Sequence, residues 1–133
     1  MEPAPLSPAS RAGTDGRTHR PWGWFETLAE GEGYRVKRLL LQAGCRISLQ
    51  RHRHRCEHWV VVRGNGTIEC DGRITAADVG HTAFIPVGSL HRASADSEDL
   101  EIIEVQRGAI LSEEDIERIE DDFGRVVRSF NNL

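Results

Sequence analysis

The stretch ISLQRHRHRCEHWVVVRG, from Ile47 to Gly64, decides the fold. In a strand, alternate side chains share a face. Gln50, His52 and His54 therefore point one way, and Arg51, Arg53 and Arg55 the other. A turn at Arg55 and Cys56 would return the chain with Glu57, Trp59 and Val61 facing inward and His58 with the opposite parity. A carboxylate then faces imidazoles and an amide oxygen, a mixed N/O set suited to Zn, Mn, Fe, Co or Ni. The same alternation also describes a solvated strand face, and Arg51, Arg53 and Arg55 read that way.

Outward from this stretch, short apolar and β-branched runs follow one another. They are Tyr34 to Leu41, Ile47 to His54, Glu57 to Val62, Thr67 to Cys70, Arg73 to Thr75, Thr82 to Ile85, His91 to Ala95, and Leu100 to Gln106. Asp71-Gly72 is a two-residue hairpin signal, because both central residues of a type I′ turn need positive φ. Short strands with no helix between them predict an antiparallel sandwich or barrel. At the C-terminal end, Ser112 followed by Glu113, Glu114 and Asp115 reads as a helix N-cap with acids in the first turn. Ile116, Ile119 and Phe123 fall at helical spacing and Gly124 is a terminator, so one short C-terminal α-helix is expected. Residues 1–19, rich in Pro, Ala, Ser, Gly and Thr, read as a disordered leader, residues 20–125 as one domain, and 126–133 as a tail.

Composition narrows the function classes. The 133 residues are 38% hydrophobic with a net charge of −4, and no apolar run approaches the roughly 20 residues of a membrane helix. Cys45, Cys56 and Cys70 make neither an even disulfide framework nor a C-x-x-C pair, and the N-terminus carries no export signal. Both observations point to a cytoplasmic protein with no membrane partner. Charge is unevenly placed: Tyr34 to Arg63 has eight basic residues and one acid, Asp96 to Asp122 twelve acids and two basic residues. A globally acidic chain is a poor nucleic-acid binder, and a small anionic ligand suits the basic region better.

A second motif, GHTAFIPVGSLH from Gly80 to His91, ends one strand, turns at Pro86 and Gly88, and enters another at His91. With Gly44, Gln50, His52, Glu57 and Gly64 in the first motif, the two patterns resemble the cupin superfamily, with Gln50 in place of the first His and Ala95 in place of the final Asn. RPWG (Arg20 to Gly23), VKR (Val36 to Arg38), IPVGSLHR (Ile85 to Arg92) and EIIEVQRG (Glu101 to Gly108) narrow the resemblance to type II mannose-6-phosphate isomerases. In that family the module is usually the C-terminal part of a bifunctional enzyme with a mannose-1-phosphate guanylyltransferase.

The resemblance implies an all-β, cupin-type double-stranded β-helix, a jelly-roll barrel. It implies one divalent metal, Zn first and Mn, Co, Ni or Fe as alternatives, on Gln50, His52, Glu57 and His91. It further implies interconversion of mannose 6-phosphate and fructose 6-phosphate through an enediol, and a homodimer. His54, sharing a face with Gln50 and His52, is the candidate base. Lys37, by family match, is expected to bind the hexose phosphate and assist catalysis, and its neighbour Arg38 shares the substrate-binding assignment because parity does not choose between them. Two other readings fit the same residues. One is a cupin that holds a sugar phosphate or nucleotide sugar without turnover, and the other an Fe(II) oxygenase using His52, Glu57 and His91.

Overall fold

The computed structural model describes residues 16–126, and its regular structure is all strand. In chain order these are β1 (Thr18–Arg20), β2 (Gly23–Gly31), β3 (Tyr34–Leu41), β4 (Leu49–Arg51), β5 (Cys56–Arg63) and β6 (Gly66–Cys70). They are followed by β7 (Arg73–Ala76), β8 (Thr82–Ile85), β9 (His91–Ala95), β10 (Leu100–Arg107) and β11 (Glu117–Glu120). One sheet runs β1-β2-β3-β10-β5-β8 and the other β11-β4-β9-β6-β7. Every pairing is antiparallel. The two-sheet, all-β architecture is the one expected.

Alternation along the central strands builds the interior. The register aligns Leu41 with Leu100, and Leu39 with Ile102 and Val61. One row further on, Lys37 lies beside Glu104, which lies beside Trp59, and after that Gln106 lies beside Glu57. The same inner face thus changes from aliphatic to polar within two rows. Leu41, Val61, Leu100 and Ile102 are all buried, and so are Lys37, Glu57, Glu104 and Gln106. Burial of that many polar groups costs stability unless each finds a partner.

Turns follow the glycine signals. Asp71 (φ 50°) and Gly72 (φ 83°) close the β6–β7 hairpin as expected. Gly64 has φ 88°, and a Cβ there would lie 1.9 Å from the Asp99 carbonyl oxygen.

The C-terminal helix does not form. Ser112 does begin a turn, with its Oγ accepting the Glu114 N–H at 3.1 Å and its carbonyl the Asp115 N–H at 3.1 Å. The turn is not propagated, because residues 117–120 pair with β4 instead, Glu117 opposite Arg51 and Arg118 opposite Gln50. Arginines fix that pairing: Arg51 with Glu117 at 2.6 Å, Arg92 with Glu120 at 3.2 Å and Arg46 with Asp122 at 2.7 Å. Much of the charge asymmetry is therefore consumed within the molecule. At the other end, β1 includes Thr18 and His19, the last two residues of the stretch read as leader. Residues 1–15 and 127–133, which hold the rest of the leader and most of the tail, lie outside the described residues.

Gly64 and Gly72 share a positive φ but differ in surroundings, since nothing lies within 4 Å of a Cβ at Gly72. Gly72→Ala is expected to cost about 1–2 kcal/mol for left-handed backbone alone. Gly64→Ala should cost a further 1–3 kcal/mol or so from steric overlap. Urea unfolding of the two variants measures the difference.

Candidate metal centre and adjoining cavity

β4 ends at Arg51, and the chain leaves strand geometry for four residues before β5. Asp115 holds this excursion, its carboxylate accepting the backbone N–H groups of Arg53 and His54, both at 2.9 Å. Burial alone would raise the Asp115 carboxyl, but those two N–H donors and the nearby imidazoles hold it below its usual range. With alternation interrupted, Arg53 and His54 loop out to solvent while His52 and Arg55 turn inward.

His52, Glu57 and His91 converge, with one ligand atom from each lying within 4.8 Å of the others. All three are at most 2% exposed. His52 Nδ1 lies 2.6 Å from the Asp115 carbonyl oxygen and His91 Nδ1 lies 2.8 Å from that of Ser89. A carbonyl can only accept, so each Nδ1 carries the proton. Each Nε2 then faces the carboxylate, His52 at 3.3 Å and His91 at 3.6 Å. Burial lowers His52 to about 4, so its ring is neutral at physiological pH and its Nε2 presents a lone pair. Burial would raise Glu57, but the fixed charge of Arg55 beside it counts in the other direction, and this carboxyl lies well below the usual range.

Acceptors facing acceptors at this distance call for a cation between them. Arg55 supplies one on one side, its Nε donating to Glu57 Oε2 at 2.8 Å and its Nη2 to His52 Nε2 at 3.3 Å. On the other side His91 Nε2 is buried with no hydrogen-bond partner. Fixed tautomers, inward lone pairs and an orphaned imidazole nitrogen are what a mixed His/carboxylate metal site provides. The residues present therefore fit a divalent metal. Gln50 stands directly across from His91 in the β4–β9 pairing, and its Oε1 accepts a hydrogen bond from Ser48 Oγ at 2.8 Å.

A cavity opens beside this cluster, lined by Gln50 and His52 from the first motif, Lys37, Arg55, Glu104 and Glu113 among others. Lys37 projects into it from β3, bonded to the Glu113 carboxylate and 4.1 Å from the Phe25 ring centroid. Burial would raise Glu113, yet Lys37 outweighs it and leaves that carboxyl below its ordinary range. Glu104 receives Gln106 Nε2 at 2.7 Å and Trp59 Nε1 at 3.1 Å, and the same indole N–H also reaches Glu57 at 3.1 Å. Burial, reinforced by the Glu57 charge, pushes the Glu104 carboxyl up to about 8.

Three expectations need correction. Arg38 does not share the cavity with Lys37: it pairs with Glu26 at 3.2 Å and stacks over Trp24 on the outer face of the sheet, because strand parity puts Lys37, Leu39 and Leu41 inward. His54 is exposed and outside the cluster, because the strand that would have aligned it with His52 ends at Arg51. Arg55, expected in solvent, is buried between His52 and Glu57 for the same reason. Sequence reasoning also passed over Glu104 and Asp115. Glu104 was reachable, since Ile102, Glu104 and Gln106 alternate on β10, whereas nothing local to Asp115 announces a contact with residues 53 and 54.

A family model described as "Mannose-6-phosphate isomerase C-terminal" matches residues 9–121. The chain is 44% identical over 108 residues to the alginate biosynthesis protein AlgA of Pseudomonas aeruginosa, covering 80% of this chain and 22% of that protein. It is 38% identical over 110 residues to the xanthan biosynthesis protein XanB of Xanthomonas campestris, covering 82% and 24%. To the mannose-1-phosphate guanylyltransferase ManC of Salmonella typhimurium it is 38% identical over 109 residues, covering 81% and 23%. The chain thus spans less than a quarter of the length of these curated relatives. Among solved structures, the capsular polysaccharide assembling protein CapF of Staphylococcus aureus superposes with a TM-score of 0.67 at 20% identity, over 78% of this chain and 34% of that one. A cupin-2 domain protein of Rhodospirillum rubrum gives 0.59 at 20% identity, over 69% and 67%. These two likenesses establish the cupin fold.

Metal analysis tests the cluster. His52→Ala is expected to lose stoichiometric metal while His54→Ala keeps most of it, and equal loss in both would bring His54 into the coordination sphere. The metal-free protein should also show the signature of a buried neutral imidazole. Unfolded, His52 titrates near 6.5, and folded at about 4. As pH falls through that window the unfolded chain takes the proton first, so stability is lost progressively, by roughly 3 kcal/mol in all. Urea unfolding from neutral pH down to about 4 should show this slope, and His52→Asn should flatten it.

Proposed function

The chain belongs to the mannose-6-phosphate isomerase C-terminal family, and from that premise we propose that it is a metal-dependent aldose–ketose isomerase. Its substrates are mannose 6-phosphate and fructose 6-phosphate, interconverted through an enediol. The observation that carries this reading is a buried carboxyl, Glu104, lining the cavity that His52 of the metal-suited cluster also lines.

Gln50, His52, Glu57 and His91 hold one divalent ion, Zn foremost. When bound it supplies Lewis-acid polarisation of the sugar oxygens at C1 and C2, which acidifies the hydrogens on those carbons. Proton transfer between the two carbons needs a group that titrates near neutrality. Glu104, pushed to about 8, meets that requirement and replaces His54 as the candidate base. Its two oxygens are held by Gln106 and Trp59, so the carboxyl presents one orientation to the substrate. Lys37 is its cross-strand neighbour. The ammonium favours the ionised form of Glu104 and binds a substrate hydroxyl once Glu113 yields its place.

The protein acts in the cytoplasm, as a homodimer. Val60, Val62 and Phe84, exposed on the outer face of the six-stranded sheet, support an apolar contact there.

The test is a coupled assay for fructose 6-phosphate formed from mannose 6-phosphate, on protein stripped of metal and reloaded with Zn, Mn, Co, Ni or Fe(II). Metal-dependent turnover is expected, falling about 10²- to 10⁴-fold in Glu104→Gln with metal content retained. Folded, loaded protein without turnover under any metal would overturn the isomerase reading and leave a sugar-phosphate-binding module.

A further inference from the structure

Arg20, Arg118 and Arg125 line the same cavity as Gln50 and His52. They come from three places: the end of β1, the second residue of β11, and the segment after it. Register locates Arg118 closely. It stands opposite Gln50, and Gln50 stands opposite His91, so the three form one row across β11, β4 and β9. Paired residues in a sheet share a face, and two strand spacings put the Arg118 backbone about 10 Å from that of His91.

The partners of these arginines set them apart from the others nearby. Arg46, Arg51 and Arg92 each meet a carboxylate of the C-terminal segment. Arg118 lies within that acidic segment, yet no ion pair among the described residues includes it, and its Nε is buried without a hydrogen-bond partner. Arg20 donates to the His19 carbonyl at 3.1 Å and lies over the Phe25 ring at 5.2 Å, also without a carboxylate. Arg125 is forked onto Asp121, at 2.7 and 3.1 Å. Burial, then the charges of Arg125 and Arg20, lower the proton affinity of Arg118, and Asp121 offsets only part of this. Three guanidinium groups held around one cavity, with Asp121 the one carboxylate bonded to any of them among the described residues, leave excess positive charge at that end.

We propose that Arg118, with Arg20 and Arg125, forms an anion subsite that takes the phosphate group of the hexose phosphate at the end of the cavity away from the metal ligands. Guanidinium groups match phosphate oxygens geometrically and remain charged while buried. A phosphate on Arg118 places the other end of a six-carbon sugar along the row toward Gln50 and His91. Lys37, on the facing sheet, is then freed for the sugar hydroxyls. This inference rests on the isomerase reading for the identity of the sugar, though not for the anion itself.

The probe is inorganic phosphate, titrated calorimetrically into the metal-loaded full chain at constant ionic strength, alongside KM for mannose 6-phosphate. Arg118→Gln is expected to weaken phosphate binding about ten- to a hundredfold, the loss of one or two charged hydrogen bonds. It should raise KM similarly while metal content stays stoichiometric. Arg20→Gln, on a different strand, should act in the same direction, which keeps the test sound if Arg118→Gln folds poorly. Wild-type protein that binds no phosphate, or variants that bind it and the substrate as wild type does, would overturn the subsite; phosphate held on the metal would give that second result. Phosphate binding that depends on Arg118 without sugar turnover would support the subsite while the isomerase reading falls.

Discussion

Glu57 is a carboxylate with 1% of its surface exposed, and the site is organised around keeping it there. Removing a charge from water costs several kcal/mol unless the surroundings restore the lost solvation. Here the Arg55 guanidinium and the Trp59 indole N–H do so on one side, while His52 and His91 turn lone pairs toward the carboxylate and leave the other side to a cation. Each of those groups is itself anchored on backbone or a neighbouring side chain. His52 rests on the Asp115 carbonyl, His91 on that of Ser89, Arg55 on that of Ser112, and Trp59 is shared with Glu104. The geometry is therefore fixed before any ligand arrives, as pre-organised sites require.

Two of those anchors, Ser112 and Asp115, lie more than fifty residues beyond the side chains they support, Arg55 and His52. The C-terminal segment has consequently a structural assignment that its own composition opposes. Its acids and its spacing favour a helix, and Ser112 starts a turn of one. The arginines of β4, β9 and the loop before β4 offer the same acids ion pairs. Extended chain additionally gives residues 117–120 the β4 edge. Exposed pairs are individually worth little, but several in register, added to backbone bonds, outweigh a propensity that amounts to a few tenths of a kcal/mol per residue. The strand conformation also aims Arg118 at the cavity while Glu117 and Glu120 meet their arginines.

The chemistry grows out of the core rather than sitting on a loop above it. Along β3, β5 and β10 the same inward parity that packs Leu39, Val61 and Ile102 supplies Lys37, Glu57 and Glu104 two or four residues away. Burial at that depth separates the two carboxyls by environment. Glu57, among imidazoles and a guanidinium, stays ionised; Glu104, with mainly neutral donors and the Glu57 charge close by, is pushed toward neutrality. The two carboxyls are thereby suited to different tasks, the ionised one to holding a cation and the other to exchanging a proton.

Local information in the sequence was enough for β3 to β10, the Asp71-Gly72 hairpin, the two-sheet architecture and the bringing together of His52, Glu57 and His91, but not for β1 and β2, which lie outside the runs it marked. Period-2 alternation, turn residues and motif spacing are all short-range properties. The assignments of His54, Arg55 and Arg38 failed where alternation stopped being a guide. The strand ends at Arg51, and on β3 parity needs a second strand to say which face is inside. The C-terminal strand, the Asp115 clasp on residues 53 and 54, and the grouping of Arg20, Arg118 and Arg125 were decided only by tertiary structure. They depend on which distant charges and sheet edges meet, and a one-dimensional pattern carries no distance between residues far apart in the chain.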